Sequence, residues 1–144
     1  MKSKTILLIA SFCLIGSACK QPTEGFSVDT NIDYCKSQAL RTLAVIPSDT
    51  KKEIPNSIDA DSINWHYTNP GSWTSGFWPG ILWYLYENTK DGIWKTAAEN
   101  YTQMILPTTH KKARSHDVGF ITMCSLGNGY RLTGNMEYKE GLLR

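Results

Sequence analysis

The stretch Ile81-Leu-Trp-Tyr-Leu-Tyr86 gives a helix no polar face, and that restricts what the chain can fold into. A helix that is apolar all round has to be covered on every side. The spacing of apolar residues predicts four helices whose character alternates. Ile32, Cys35, Ala39, Leu43 and Ile46 recur at helical intervals with Lys36, Gln38 and Arg41 between them, which predicts an amphipathic helix from Asp29 to near Pro47. The second helix, from about Ser75 to Asn88, holds the apolar run, with Ser75 or Thr74 as its cap and Pro79 tolerated in its first turn. After a turn at Lys90-Asp-Gly92, the residues Ile93, Ala97, Tyr101, Met104 and Ile105 mark a third, amphipathic helix that Pro107 stops. The fourth, from about Asp117 to Leu132, has almost no charge before Arg131 and contains Gly119, Gly127 and Gly129. Each glycine inside a helix costs about 1 kcal/mol relative to alanine, so three of them imply close backbone packing. Met136 to Arg144 begins a fifth.

Amphipathic, apolar, amphipathic, apolar is the order required by a two-layer ring of helices, with outer helices wetted on one face and inner ones buried. The expected fold class is therefore all-α, an incomplete ring made of the first four to five helices only. Ser48 to Ser72, with Pro55, Asn56, Pro70 and Gly71, reads as an irregular loop, and no strand pattern of convincing length is present. A loop of that length is usually functional or disordered.

At 144 residues the chain holds one ordinary domain. Residues 1–18 read as an export signal: Lys2 and Lys4 precede the apolar run from Ile6 to Ile15, which is shorter than the roughly 20 residues of a membrane-spanning helix. Gly16-Ser-Ala-Cys19 resembles a bacterial lipobox, which makes Cys19 the expected lipidated N-terminus, anchored to a membrane of the bacterial cell envelope (periplasm or outer membrane). The alternative is an ordinary cleaved signal with an incidental cysteine. Residues 19–28 form a polar tether and residues 29–144 the helical domain. Cys35 and Cys124 occupy apolar helical positions and read as buried free thiols. No metal-ligand spacing occurs, no cofactor is expected, and a formal charge of +2 does not argue for nucleic acid.

Chemistry concentrates in two stretches, Trp73-Thr-Ser-Gly-Phe-Trp-Pro-Gly80 and His116-Asp-Val-Gly-Phe120. Trp73 and Phe77 are four residues apart, so their rings can lie on one side of a helical turn. Aromatic faces suit sugars, because the C–H face of a pyranose packs on a π surface while its hydroxyls find polar groups at the rim. The competing reading is that aromatics at helical spacing are simply core, and Trp78, Trp83 and Tyr86 are assigned to it. Asp117 stands in an apolar segment after the basic stretch His110 to His116. It is either the N-cap of the fourth helix, a charge-bearing catalytic group, or both, since a negative charge is favourable at a helix N-terminus.

With Trp73 to Trp83, His116 to Phe120 and the helix end Tyr130-Arg-Leu-Thr-Gly-Asn135, the chain resembles the N-terminal part of glycoside hydrolase family 88, the unsaturated glucuronyl hydrolases, over roughly Asp29 to Arg144. The resemblance implies an α/α six-hairpin barrel and an enzyme that hydrates the Δ4,5 double bond of a terminal unsaturated uronic acid on lyase-generated, glycosaminoglycan-type oligosaccharides. It implies Asp117 as one catalytic carboxylate, His116 as a substrate contact and Trp73 and Phe77 as stacking walls, with neither metal nor organic cofactor. It places the proton-donating Asp on a later helix, past Arg144, so a truncated chain by itself is expected to be inactive. Two alternatives remain at this point: an unsaturated rhamnogalacturonyl hydrolase-type enzyme, and a non-catalytic glycan-binding surface lipoprotein.

Overall fold

The computed structural model describes residues 25, 27–46, 53–60, 64–110 and 116–144. The stretch expected to be an export signal, Cys19 and most of the expected tether lie outside the described residues.

Helix α1 (Val28–Val45) starts at Ser27, whose hydroxyl accepts a hydrogen bond from the Thr30 N–H at 3.3 Å, and it ends just ahead of Pro47 in the sequence. Ala39, Thr42 and Ile46 are buried, but Cys35 is exposed, contrary to the expectation of a buried thiol. Burial is confined to the C-terminal half of α1, and Cys35, on the same face as Ala39 but one turn earlier, lies before the covered part.

Part of the expected loop is an antiparallel hairpin of β1 (Ile54–Ile58) and β2 (Trp65–Thr68), with a register irregularity between Pro55 and Ser57. Ile54 is fully buried, and Trp65 from β2 meets Trp78 with ring centroids 6.4 Å apart. Strands of five and four residues carry too short an alternation to stand out beside Pro55 and Asn56, and the pairing becomes evident only against the core it covers.

Helices α2 (Phe77–Thr89) and α3 (Gly92–Ile105) form the centre, joined by Lys90 and Asp91. Lys90 takes a left-handed conformation (φ 58°) and returns its N–H to the Tyr86 carbonyl, and the Asp91 side chain caps α3 by accepting from the Ile93 N–H at 3.0 Å. Trp83 and Thr102 are both fully buried, and the indole Nε1 donates to the Thr102 hydroxyl at 3.0 Å. A 3-10 turn, Leu106–His110, follows α3.

The fourth predicted helix is a continuous helical run in three parts: α4 (Val118–Thr122), a π-helical stretch (Met123–Gly127) and α5 (Asn128–Thr133). It runs parallel to α2, because Gly76 faces Phe120 and Ile121, Gly80 faces Cys124, and Glu87 is bound by Arg131, a nearly constant offset along both helices. Gly134 ends the run in a left-handed conformation (φ 72°), and α6 (Met136–Leu142) follows, capped by Asn135. Of the three glycines expected to mark close packing, only Gly129 does so: a Cβ there would lie 2.8 Å from the Tyr138 ring and 3.0 Å from Trp83. Gly119 faces open space.

The chain is mostly helical, and α2 and the 118–133 run stand side by side, with α3 packed against α2. The inner helices are not buried all round, as the apolar run had implied. Trp73, Phe77, Ile81 and Tyr84, spaced four, four and three apart, form an exposed stripe along α2, and Phe120 and Met123 continue it on the neighbouring helix. Composition specifies a dry or ring-lined face; it does not specify what lies against it. Among the described residues no helix is long and apolar enough to cross a membrane.

Candidate functional site

The stripe begins in the turn that feeds α2. Asn69 Oδ1 accepts from the Gly71 N–H at 2.9 Å, Ser72 N bonds to the Asn69 carbonyl and Ser75 N to the Ser72 carbonyl, each at 3.0 Å. The buried Ser75 hydroxyl donates to the Pro70 carbonyl at 2.8 Å and so clips the turn shut from inside. Ser75 is therefore a loop fastener; the cap position of α2 belongs to Gly76, with no side-chain capping bond.

Trp73 sits on that turn, 53% exposed, and its ring meets the ring of Phe77 edge-on with centroids 6.0 Å apart. A third ring joins them: Phe120 lies 6.4 Å from Trp73 and 5.8 Å from Phe77. The sequence places Phe120 at the end of the His116–Phe120 motif but assigns it no role. The available signal was its position three residues after Asp117, which puts both on one side of a helical turn.

Asp117 occupies the N-cap position of α4, but its side chain makes no capping hydrogen bond; the helix end is closed by its own carbonyl, which accepts from the Phe120 N–H at 2.9 Å. The carboxylate is 26% exposed, and His116 Nε2 approaches its Oδ1 at 3.3 Å from a ring that is 93% exposed. The arrangement is a partly sheltered carboxylate with an imidazole beside it, one helical turn from a three-ring aromatic surface.

At the opposite end of the parallel pair, Arg131 grips both carboxylate oxygens of Glu87, with Nη2 at 2.8 Å from Oε2, and also donates to Asn128 Oδ1 at 3.0 Å. The hydrogen bonds from Arg131 hold the Glu87 carboxyl below the usual carboxylate range. Cys124 lies between the two ends as a half-buried free thiol whose pKa burial raises, the opposite of what an activated nucleophile needs. Among the described residues no three His, Cys, Asp or Glu side chains gather as a metal site would require.

No family model matches the chain. Its curated relatives and structural neighbours are unsaturated glucuronyl hydrolases. The unsaturated glucuronyl hydrolase of Formosa agariphila is 35% identical over 78 residues, 54% of this chain and 19% of that protein. The unsaturated chondroitin disaccharide hydrolase of Streptococcus pneumoniae is 28% identical over 96 residues, 65% of this chain and 24% of that protein. Among solved structures, an unsaturated glucuronyl hydrolase specific for heparin superposes with a TM-score of 0.68 and 32% identity, covering 78% of this chain and 29% of the other. The unsaturated glucuronyl hydrolase of Streptococcus agalactiae gives 0.63 and 25%, covering 80% and 29%. The chain thus spans about a fifth to a quarter of the curated relatives' length, and its mostly helical fold superposes on part of solved unsaturated glucuronyl hydrolases, which are α/α six-hairpin barrels.

Proposed function

We propose that this chain carries the sugar-binding wall and one catalytic carboxylate of an unsaturated glucuronyl hydrolase acting on lyase-generated, glycosaminoglycan-type oligosaccharides. The observation that carries the reading is the convergence of the Trp73, Phe77 and Phe120 rings one helical turn from Asp117. A terminal Δ4,5-unsaturated uronic acid has a flattened ring whose face stacks on such a surface. Hydration proceeds by protonation of C4, which puts positive charge on C5 and the ring oxygen; water adds to C5, and the resulting hemiketal opens and releases the rest of the sugar. Asp117 acts as the ionised partner that stabilises the developing cation and orients the water, with His116 as a further substrate contact. A second carboxylate supplies the proton. Neither metal nor organic cofactor takes part in these steps. The names of the relatives favour this chemistry over that of an unsaturated rhamnogalacturonyl hydrolase.

The test is titration of the chain with an unsaturated chondroitin disaccharide and with its saturated counterpart, followed by tryptophan fluorescence. Binding of the unsaturated sugar with perturbation of the exposed Trp73 is expected. Equal binding of both sugars favours a non-catalytic glycan-binding lipoprotein, and binding of neither removes the reading.

The same protein is proposed to be anchored in the bacterial cell envelope through a lipid on Cys19, as the small residues Gly16, Ser17 and Ala18 after an apolar run support. Labelled fatty acid should enter the wild-type chain and not Cys19→Ser; its failure to enter the wild type leaves an ordinary exported protein.

A further inference from the structure

Gly76 touches no ligand in the reading above, yet it stands where the two halves of the wall meet. Its backbone (φ −74°, ψ −19°) is ordinary helical geometry that any residue adopts, so no conformational reason keeps a side chain away. What glycine supplies is space: a Cβ there would run into the main-chain carbonyl groups of Phe120 and Ile121. Main chain cannot rotate aside as a side chain can. Four residues further along, the equivalent contact is looser. A Cβ at Gly80 would lie 3.2 Å from the Cys124 Cβ and 3.3 Å from its carbonyl oxygen, a tight fit that a few tenths of an ångström relieves.

The contact at Gly76 also lies among the rings. Phe77 is its neighbour in sequence, Trp73 lies in the turn just before it, and Phe120 is one of the two residues whose carbonyl it meets. The structure assigns Gly76 as the positioning residue of the aromatic wall: its bare α-carbon lets α2 and α4 approach backbone to backbone, and this approach fixes Phe120 against Trp73 and Phe77 and sets the wall relative to Asp117. The role rests on the glycan-binding reading above for its functional meaning; the ring geometry stands on its own.

The experiment compares Gly76→Ala with Gly80→Ala in the full chain by two readouts: NMR cross-relaxation between the Trp73 indole and Phe120 ring protons, and the Kd for the unsaturated chondroitin disaccharide. Gly76→Ala is expected to lose the Trp73–Phe120 signals and to weaken binding at least tenfold. Gly80→Ala is expected to lower the melting temperature while keeping the signals, with binding within threefold of wild type. Retention of the signals and affinity in Gly76→Ala, or their equal loss in Gly80→Ala, overturns the assignment. A Gly76→Ala chain that fails to fold while Gly80→Ala folds places the residue in folding rather than in wall positioning, and also overturns it. A wild-type chain that shows the ring contacts but binds no disaccharide sinks the glycan reading alone, and the ring readout then decides the role of Gly76.

Discussion

Phe77 and Phe120, 43 positions apart in the chain, hold their ring centroids 5.8 Å apart across two parallel helices. Both rings are substantially exposed, 40% and 47%, so their packing contributes little to the core. Truncating Phe120 to alanine is therefore expected to lower stability by only about 1 kcal/mol, well below the roughly 3–5 kcal/mol of a buried Phe→Ala change. Disaccharide affinity should fall by about tenfold, because an aromatic contact of about 0.5–1.5 kcal/mol is lost together with apolar area. A melting curve and a fluorescence titration on one variant separate the two effects.

Trp83 provides the opposite case. Its indole N–H is fully buried and donates to the Thr102 hydroxyl at 3.0 Å. Thr102→Val keeps the shape and removes the acceptor, which leaves a buried donor unpaired and should cost about 1–3 kcal/mol. Urea unfolding checks it, and a loss under about 0.5 kcal/mol would show that the indole finds another partner.

The Arg131–Glu87 clamp gives stability a pH dependence of known sign. Glu87 is held below its usual value by its hydrogen bonds from Arg131, so its contribution is fully present above the unfolded carboxyl value of about 4.3 and disappears as pH falls through the lower folded value. Wild type should lose more of its melting temperature than Glu87→Gln between about pH 5 and pH 3. The pair is exposed, so the difference should be small and shrink in high salt.

Much of the helical order was legible in the sequence because periodicity and punctuation agree. The turn at Lys90-Asp-Gly92 stands between α2 and α3, and Pro47 and Pro107 follow the ends of α1 and α3. Trp73 and Phe77 could be paired by spacing alone. The hairpin was not legible, because Ile54 and Trp65 acquire meaning only against the core they cover. Nor was the open face of α2, because an apolar run fixes the kind of residue on a face and not what lies against it. Phe120 was missed because its partners lie on another helix. The constant offset between α2 and the 118–133 run, set by Gly76 and Gly80, is a three-dimensional fact that no local pattern encodes.

The most direct test is turnover by a chimera in which this chain replaces the stretch of the heparin-specific unsaturated glucuronyl hydrolase on which it superposes, with Asp117→Asn as the probe. Loss of the double bond's ultraviolet absorbance reports hydration of an unsaturated disaccharide. Asp117→Asn is nearly isosteric and keeps a side-chain oxygen, so the variant should keep its melting temperature, and even Asp117→Ala should cost only about 0.5–2 kcal/mol, the range of a lost cap. Turnover by the Asn variant is predicted to fall by about two orders of magnitude or more. Near-normal turnover in that variant, or a folded chimera that hydrates no unsaturated disaccharide at all, would contradict the central claim.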